Sequence, residues 1–194
     1  MSVLGTRKTV VVGTALSFSV GIICAVLNKI YAREVFETLA ITFFTTFYHF
    51  AMRLITAYAV TVCRRSVTER DSAPFSLCRA ERGFYNLIRV KKWKKYAPTY
   101  NKEQFDVHKR DYAELCHNMA NAEIGHALIV LLSFAPILFE KRLGGGAAFW
   151  ITSVFAAAFD LQFVFIQRYN RARVSKVMQK TDNRKQAIKT RFLM

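Results

Sequence analysis

The chain has 194 residues, of which 53% are hydrophobic and 22% charged, and its formal net charge is +16. That length allows one domain or one small membrane bundle, and eight Gly with three Pro exclude a linker-rich or disordered protein. Apolar and basic residues are segregated rather than mixed, which points to membrane lipid rather than nucleic acid as the partner of the positive charge.

Residues 10–27, "VVVGTALSFSVGIICAVL", form the first expected span, uncharged and preceded by Arg7 and Lys8. The run is long for a cleaved signal sequence and continues into Asn28 and Lys29, so an uncleaved membrane helix is expected. Residues 38–63 form the second span, long enough for a tilted helix although His49 and Arg53 lie inside it. The third covers residues 122–139, with Pro136 in its last turn. The fourth covers residues 147–166 and encloses Asp160, and "LGGG" at residues 143–146 makes the turn between the third and fourth. The expected fold is all-α, a polytopic integral membrane protein of four transmembrane helices in a single domain.

Between the second and third spans lies a segment of residues 64–121, too long for a simple loop. "PFSLCRAERGFYNLIRVKKWKKYAP" sets Phe75, Phe84, Leu87, Ile88 and Trp93 among cations, the pattern of an amphipathic helix lying in the headgroup layer with Trp93 and Tyr96 as anchors. "KEQFDVHKRDYAELCHNMANAE" then reads as a polar helix running into the third span, and residues 167–194 form a basic tail. Four spans put the termini and the middle segment on one side, which then holds 24 of the 29 Lys and Arg; that bias makes it the cytoplasmic side of a multi-pass cell-membrane protein.

Charges inside a span are costly and mark function or pairing. Arg53 and Asp160 lie at similar depth, and a pair between them joins the second and fourth spans. His49 shares a helix face with Arg53 and reads as a packed, hydrogen-bonded histidine. Glu123 and His126, three residues apart at the mouth of the third span, share a face near the inner membrane surface. A histidine there can take a proton from a hydroxyl, and a nearby carboxylate can fix its tautomer. A di-iron site would need a second Glu-x-x-His, which does not occur, and a single metal held with His117 is the alternative. The four cysteines show no C-x-x-C spacing, and no nucleophile elbow, phosphate loop or dinucleotide fingerprint occurs. After the fourth span, "QRYNRAR" places Gln167, Arg168, Tyr169, Asn170, Arg171 and Arg173 at the headgroup boundary, where guanidinium groups can grip phosphate.

Together "FYNLIRVKKWKKYAP", "NMANAEIGHALIVLLSFAP" and "FVFIQRYNRARV" resemble the glycosyl-diaponeurosporenoate acyltransferase family of small bacterial membrane proteins. The resemblance runs from about Gly83 to Val174, with Ala172 where family members commonly carry a proline. It implies transfer of a fatty acyl chain to a hydroxyl of a glycosylated isoprenoid, as in the last step of staphyloxanthin-type carotenoid synthesis, or of a related lipid. In that reading His126 is the general base, Glu123 orients it or shares its proton, Arg168, Arg171 and Arg173 bind a phosphate of the donor or the acceptor headgroup, Gln167, Tyr169 and Asn170 line the substrate, and Lys92, Trp93 and Lys94 border the cleft. No cofactor is expected. The partners are membrane lipids, a lipid acceptor and an acyl donor, with acyl-CoA one candidate. The competing classes are a lipid-binding or scaffold subunit without turnover, and a metal-dependent enzyme using His117, Glu123 and His126.

Overall fold

A computed structural model describes residues 3–67, 79–96, 105–106, 110–144 and 146–193. Among them the regular structure is helical, with no strand: α1 (Val3–Tyr31), α2 (Glu34–Val67), α3 (Arg79–Leu87), α4 (Val90–Trp93), α5 (Tyr112–Leu132), α6 (Glu140–Leu143) and α7 (Gly146–Leu193). Three stretches are long and apolar enough to cross a membrane: Lys8–Tyr31, Tyr112–Leu143 and Gly146–Ile188. The sequence reading expected four. The second expected span is one unbroken helix, α2, but it is not among the three. Its threonines, His49 and Arg53 dilute the apolar residues.

The described chain forms two compact units. The first contains residues 1–62 and 125–162. Here α1 meets α2 through Phe18, whose ring centroid lies 4.9 Å from that of Phe47. Gly21 permits the approach of the two helices, since a Cβ there would come within 3.2 Å of the Phe44 ring. The hydroxyls of Thr42, Thr45 and Thr46 donate to the carbonyls one turn earlier, at 2.7–2.8 Å. This internal pairing lets hydroxyl residues sit in an apolar helix without an unsatisfied donor.

Pro136 ends α5 earlier than the expected boundary at residue 139. The α-helix stops at Leu132, and a 3-10 turn spans Ala135–Phe139. Proline has no N–H to return to the carbonyl four residues back, and its ring clashes with that carbonyl. The carbonyl concerned belongs to Leu132, and the Tyr48 hydroxyl on α2 donates to it at 2.9 Å. A side chain from another helix thus replaces the missing backbone donor. The turn into α7 passes through Gly144, whose φ of +68° is costly for any residue with a Cβ.

The second unit contains residues 63–124 and 163–194. The expected single interfacial helix is broken. After α3 the chain reaches Arg89 in the left-handed region, φ 52°, and restarts as α4 followed by a 3-10 turn at Lys94–Tyr96. The Trp93 indole N–H donates to the Ile88 carbonyl at 2.9 Å, which ties the break together. Tyr85 and Val90 are buried against Ile166, with Ile88, Trp93, Phe165 and Tyr169 around them. Phe84 and Leu87 remain exposed. Phe75 lies outside the described residues. The polar helix expected before the third span is helical from Tyr112 onward; most of residues 97–109 lies outside the described residues. The basic tail is a continuation of the last apolar helix: α7 runs 48 residues without a break, Ala172 included.

Candidate functional site

Two polar clusters contain most of the residues singled out by sequence, one in each unit. In the first unit Arg53 and Asp160 form an ion pair. Arg53 Nε donates to Asp160 Oδ2 at 3.0 Å, and Nη2 donates to the same oxygen. Nη1 also donates to the His49 carbonyl, at 3.3 Å, and Nη2 to the Ala156 carbonyl, at 3.4 Å. The Asp160 side chain is 1% exposed, so these donors take the place of water around it.

The other oxygen of Asp160 faces His126: Oδ1 lies 3.0 Å from Nδ1. A carboxylate oxygen accepts, so Nδ1 carries the proton and Nε2 is the basic nitrogen of the neutral ring. Asp160 therefore fixes the tautomer of His126, and Arg53 fixes Asp160. Helix geometry explains the meeting, because α5 presents His126, α2 presents Arg53 and α7 presents Asp160. The ring of Phe159 adds a cation–π contact to Arg53 at 5.5 Å.

His49 is buried one turn before Arg53, and neither ring nitrogen has a hydrogen-bond partner among the described residues. Ser153 Oγ on α7 is in the same condition. Toward the start of α2, a cavity of about 390 Å³ is lined by Ala40, Ile41, Phe44 and Tyr48, together with Pro136 and Phe149.

In the second unit Glu123 accepts from two arginines of α7: Arg168 Nη1 at 3.0 Å, and Arg171 Nε and Nη2 at 3.1 and 2.7 Å. Arg168 also donates to Glu81, from Nε at 2.8 Å and Nη2 at 2.6 Å. Glu123 thus neutralises arginines, and the carboxylate on His126 Nδ1 is that of Asp160. Glu81 was not singled out by sequence. The only signal for it is a lone acid within a basic helix.

Lys94 Nζ donates to Asn170 Oδ1 at 2.6 Å and stands 5.1 Å from the centre of the Tyr169 ring. Arg173 stands 5.9 Å from that ring. Burial, and then the charges of Arg173 and Lys91, hold the Lys94 ammonium below the ordinary lysine pKa. Lys92 is exposed and, with Lys91, Trp93 and Tyr96, borders a surface hollow. Gln167 Oε1 is buried without a hydrogen-bond partner among the described residues. His117 pairs with Asn121 on its own helix, at 2.8 Å. Among the described residues no three His, Cys, Asp or Glu are gathered to hold a metal ion, His117, Glu123 and His126 included.

Residues 70–180 match the family model described as glycosyl-4,4'-diaponeurosporenoate acyltransferase. The chain belongs to this family. The match covers more than half of the chain, including α3 to α5 and most of α7. The family's description names an acyltransferase and a glycosylated carotenoid acid, and three helices able to cross a membrane suit a lipid-soluble substrate. No curated protein sequence and no solved structure matches the chain.

Proposed function

We propose that the protein is a membrane acyltransferase that moves a fatty acyl chain onto a sugar hydroxyl of a glycosylated carotenoid or closely related isoprenoid lipid. The observation that carries the mechanism is the Arg53–Asp160–His126 chain. His126 Nε2 takes the proton of the acceptor hydroxyl as that oxygen attacks the acyl carbonyl. A new C–O ester bond forms, the bond from the carbonyl carbon to the donor's leaving atom breaks, and the imidazolium returns its proton to that atom. Asp160 is a positioning residue that holds the tautomer and stabilises the imidazolium, and Arg53 keeps Asp160 in place. The cavity beside Tyr48 and Phe44 suits a hydrocarbon chain, being apolar and within the usual size range of small-ligand sites.

In this account α2 is a fourth span despite its polar residues, because the Arg53–Asp160 pair and the threonine back-bonds remove most of the cost of burying them. Both termini and α3–α4 face the cytoplasm, where the cations gather. Glu81 and Glu123 hold Arg168 and Arg171 as a braced pair. The test is acyl transfer by the purified chain in detergent, with a radiolabelled acyl thioester and a carotenoid glucoside as substrates. A labelled ester on the sugar is expected. Hydrolysis of the donor without ester formation, or no consumption of donor at all, would refute the assignment.

A further inference from the structure

The arginines that the sequence makes the obvious anion ligands are already occupied. Arg168 and Arg171 face Glu81 and Glu123, two guanidinium groups against two carboxylates. The uncompensated charge lies elsewhere in the same unit. Lys94 and Arg173 both approach the Tyr169 ring, at 5.1 and 5.9 Å. Lys91 lies one turn before Lys94 on the same short helical segment and lines the hollow beside Trp93 and Tyr96. None of the three has a carboxylate partner among the described residues.

Cations gathered on one ring repel one another, and the arrangement needs a counter-charge. The Lys94 ammonium is held by Asn170 Oδ1, which aims it without neutralising it. Arg173 is exposed, so its guanidinium can present two parallel N–H groups outward. Trp93 and Tyr96 border the adjoining hollow with Lys91 and Lys92, giving aromatic walls beside the positive charge.

We propose that Lys91, Lys94 and Arg173, arranged around Tyr169 and Asn170, form a phosphate-binding site that takes a phosphate ester. Two sources carry that chemistry: a soluble acyl donor with phosphates, and the headgroup of an anionic phospholipid. The site deepens the acyl-transfer reading, because a phosphate anchor is how a donor thioester would be held while its acyl end reaches the membrane; phosphate binding itself rests on the cation geometry alone.

The experiment measures binding, so it is independent of turnover. The full chain in non-ionic detergent is titrated with inorganic pyrophosphate by calorimetry. Saturable binding that weakens with added salt is expected. Lys94→Gln with Arg173→Gln should weaken it at least about tenfold, as expected for losing two charge-assisted contacts. Arg173→Gln alone alters an exposed side chain and should weaken binding severalfold with folding intact. Arg184→Gln removes an exposed cation further along α7 and should leave affinity unchanged. Coenzyme A competing with pyrophosphate would identify the soluble donor as the source. Competition only by phosphatidylglycerol nanodiscs, and not by phosphatidylcholine ones, would identify the headgroup. Absence of saturable pyrophosphate binding, equal affinity in the double variant, or an equal loss in Arg184→Gln would overturn the proposal. Pyrophosphate binding without acyl transfer would leave this site standing and remove the enzymatic reading.

Discussion

Removing Arg53 and Asp160 together should cost less than the sum of the two single losses. Asp160 has 1% of its side chain exposed and Arg53 18%, so water cannot replace a lost partner. Breaking such a pair by deleting one member typically costs about 3–5 kcal/mol, because the survivor is left charged and buried. The two halves are unequal. In Asp160→Ala the guanidinium keeps the His49 and Ala156 carbonyls as acceptors, which places the loss near the lower end. In Arg53→Ala the carboxylate keeps the contact to His126 but loses both guanidinium donors, which places the loss near the upper end. Additive behaviour would put the double variant at roughly twice a single one; contact between the two groups instead predicts a coupling energy near the top of the usual range, about 2–3 kcal/mol. The assay is reversible denaturation in mixed micelles for the wild type, the two single variants and the double variant. Additivity within about 0.5 kcal/mol would show that the charges do not sense each other and would remove the support on which His126 depends.

Tyr48→Phe should destabilise by about 1 kcal/mol, since the Leu132 carbonyl loses the donor that stands in for a backbone N–H; the loss should shrink in a Pro136→Ala background, where that N–H returns, and an equal loss in both backgrounds would refute the substitution. The charge bias predicts that protease-sensitive tags at Ser2, Ser72 and Met194 are protected in intact cells while one at Gly145 is cut, and cleavage at Ser72 would overturn the four-span arrangement. Burial raises the Tyr85 phenol above its ordinary pKa of 10.0, so the folded state keeps that proton where the unfolded state releases it. Its stabilising effect is therefore complete below pH 10 and is lost as pH climbs through the folded value; melting temperatures from pH 9 to 11 should fall less steeply in Tyr85→Phe than in the wild type.

The helices and their order are legible in the sequence because long apolar runs with charged flanks leave few alternatives. Two kinds of feature escape it. One is where helices stop. Pro136 predicts an end but not that the α-helix closes at Leu132, since that depends on Tyr48 arriving from α2. The break at Arg89 has no glycine or proline to announce it, and the unbroken course of α7 past residue 166 hides behind a change from apolar to basic composition. The other is partner choice. Local spacing puts Glu123 on the His126 face, yet the carboxylate on His126 comes from Asp160, 34 residues away. Glu123 sits among stronger competitors, two guanidinium groups that bind a carboxylate with paired donors. Such contacts depend on the rotation of one helix against another, which a single sequence does not encode locally.

In the proposed mechanism His126 removes the acceptor proton while Asp160 holds its ring. The most direct measurement of this step is the steady-state kcat for acyl transfer in His126→Ala and Asp160→Asn, each normalised to folded protein. A positioned general base is typically worth about 10²- to 10⁴-fold in rate. His126→Ala should lose that factor with little change in KM. Asp160→Asn, which can still hydrogen-bond the ring but no longer demands a proton on Nδ1, should lose a large part of it. A folded His126→Ala protein that turns over at near the wild-type rate would make the histidine a packing residue and contradict the account.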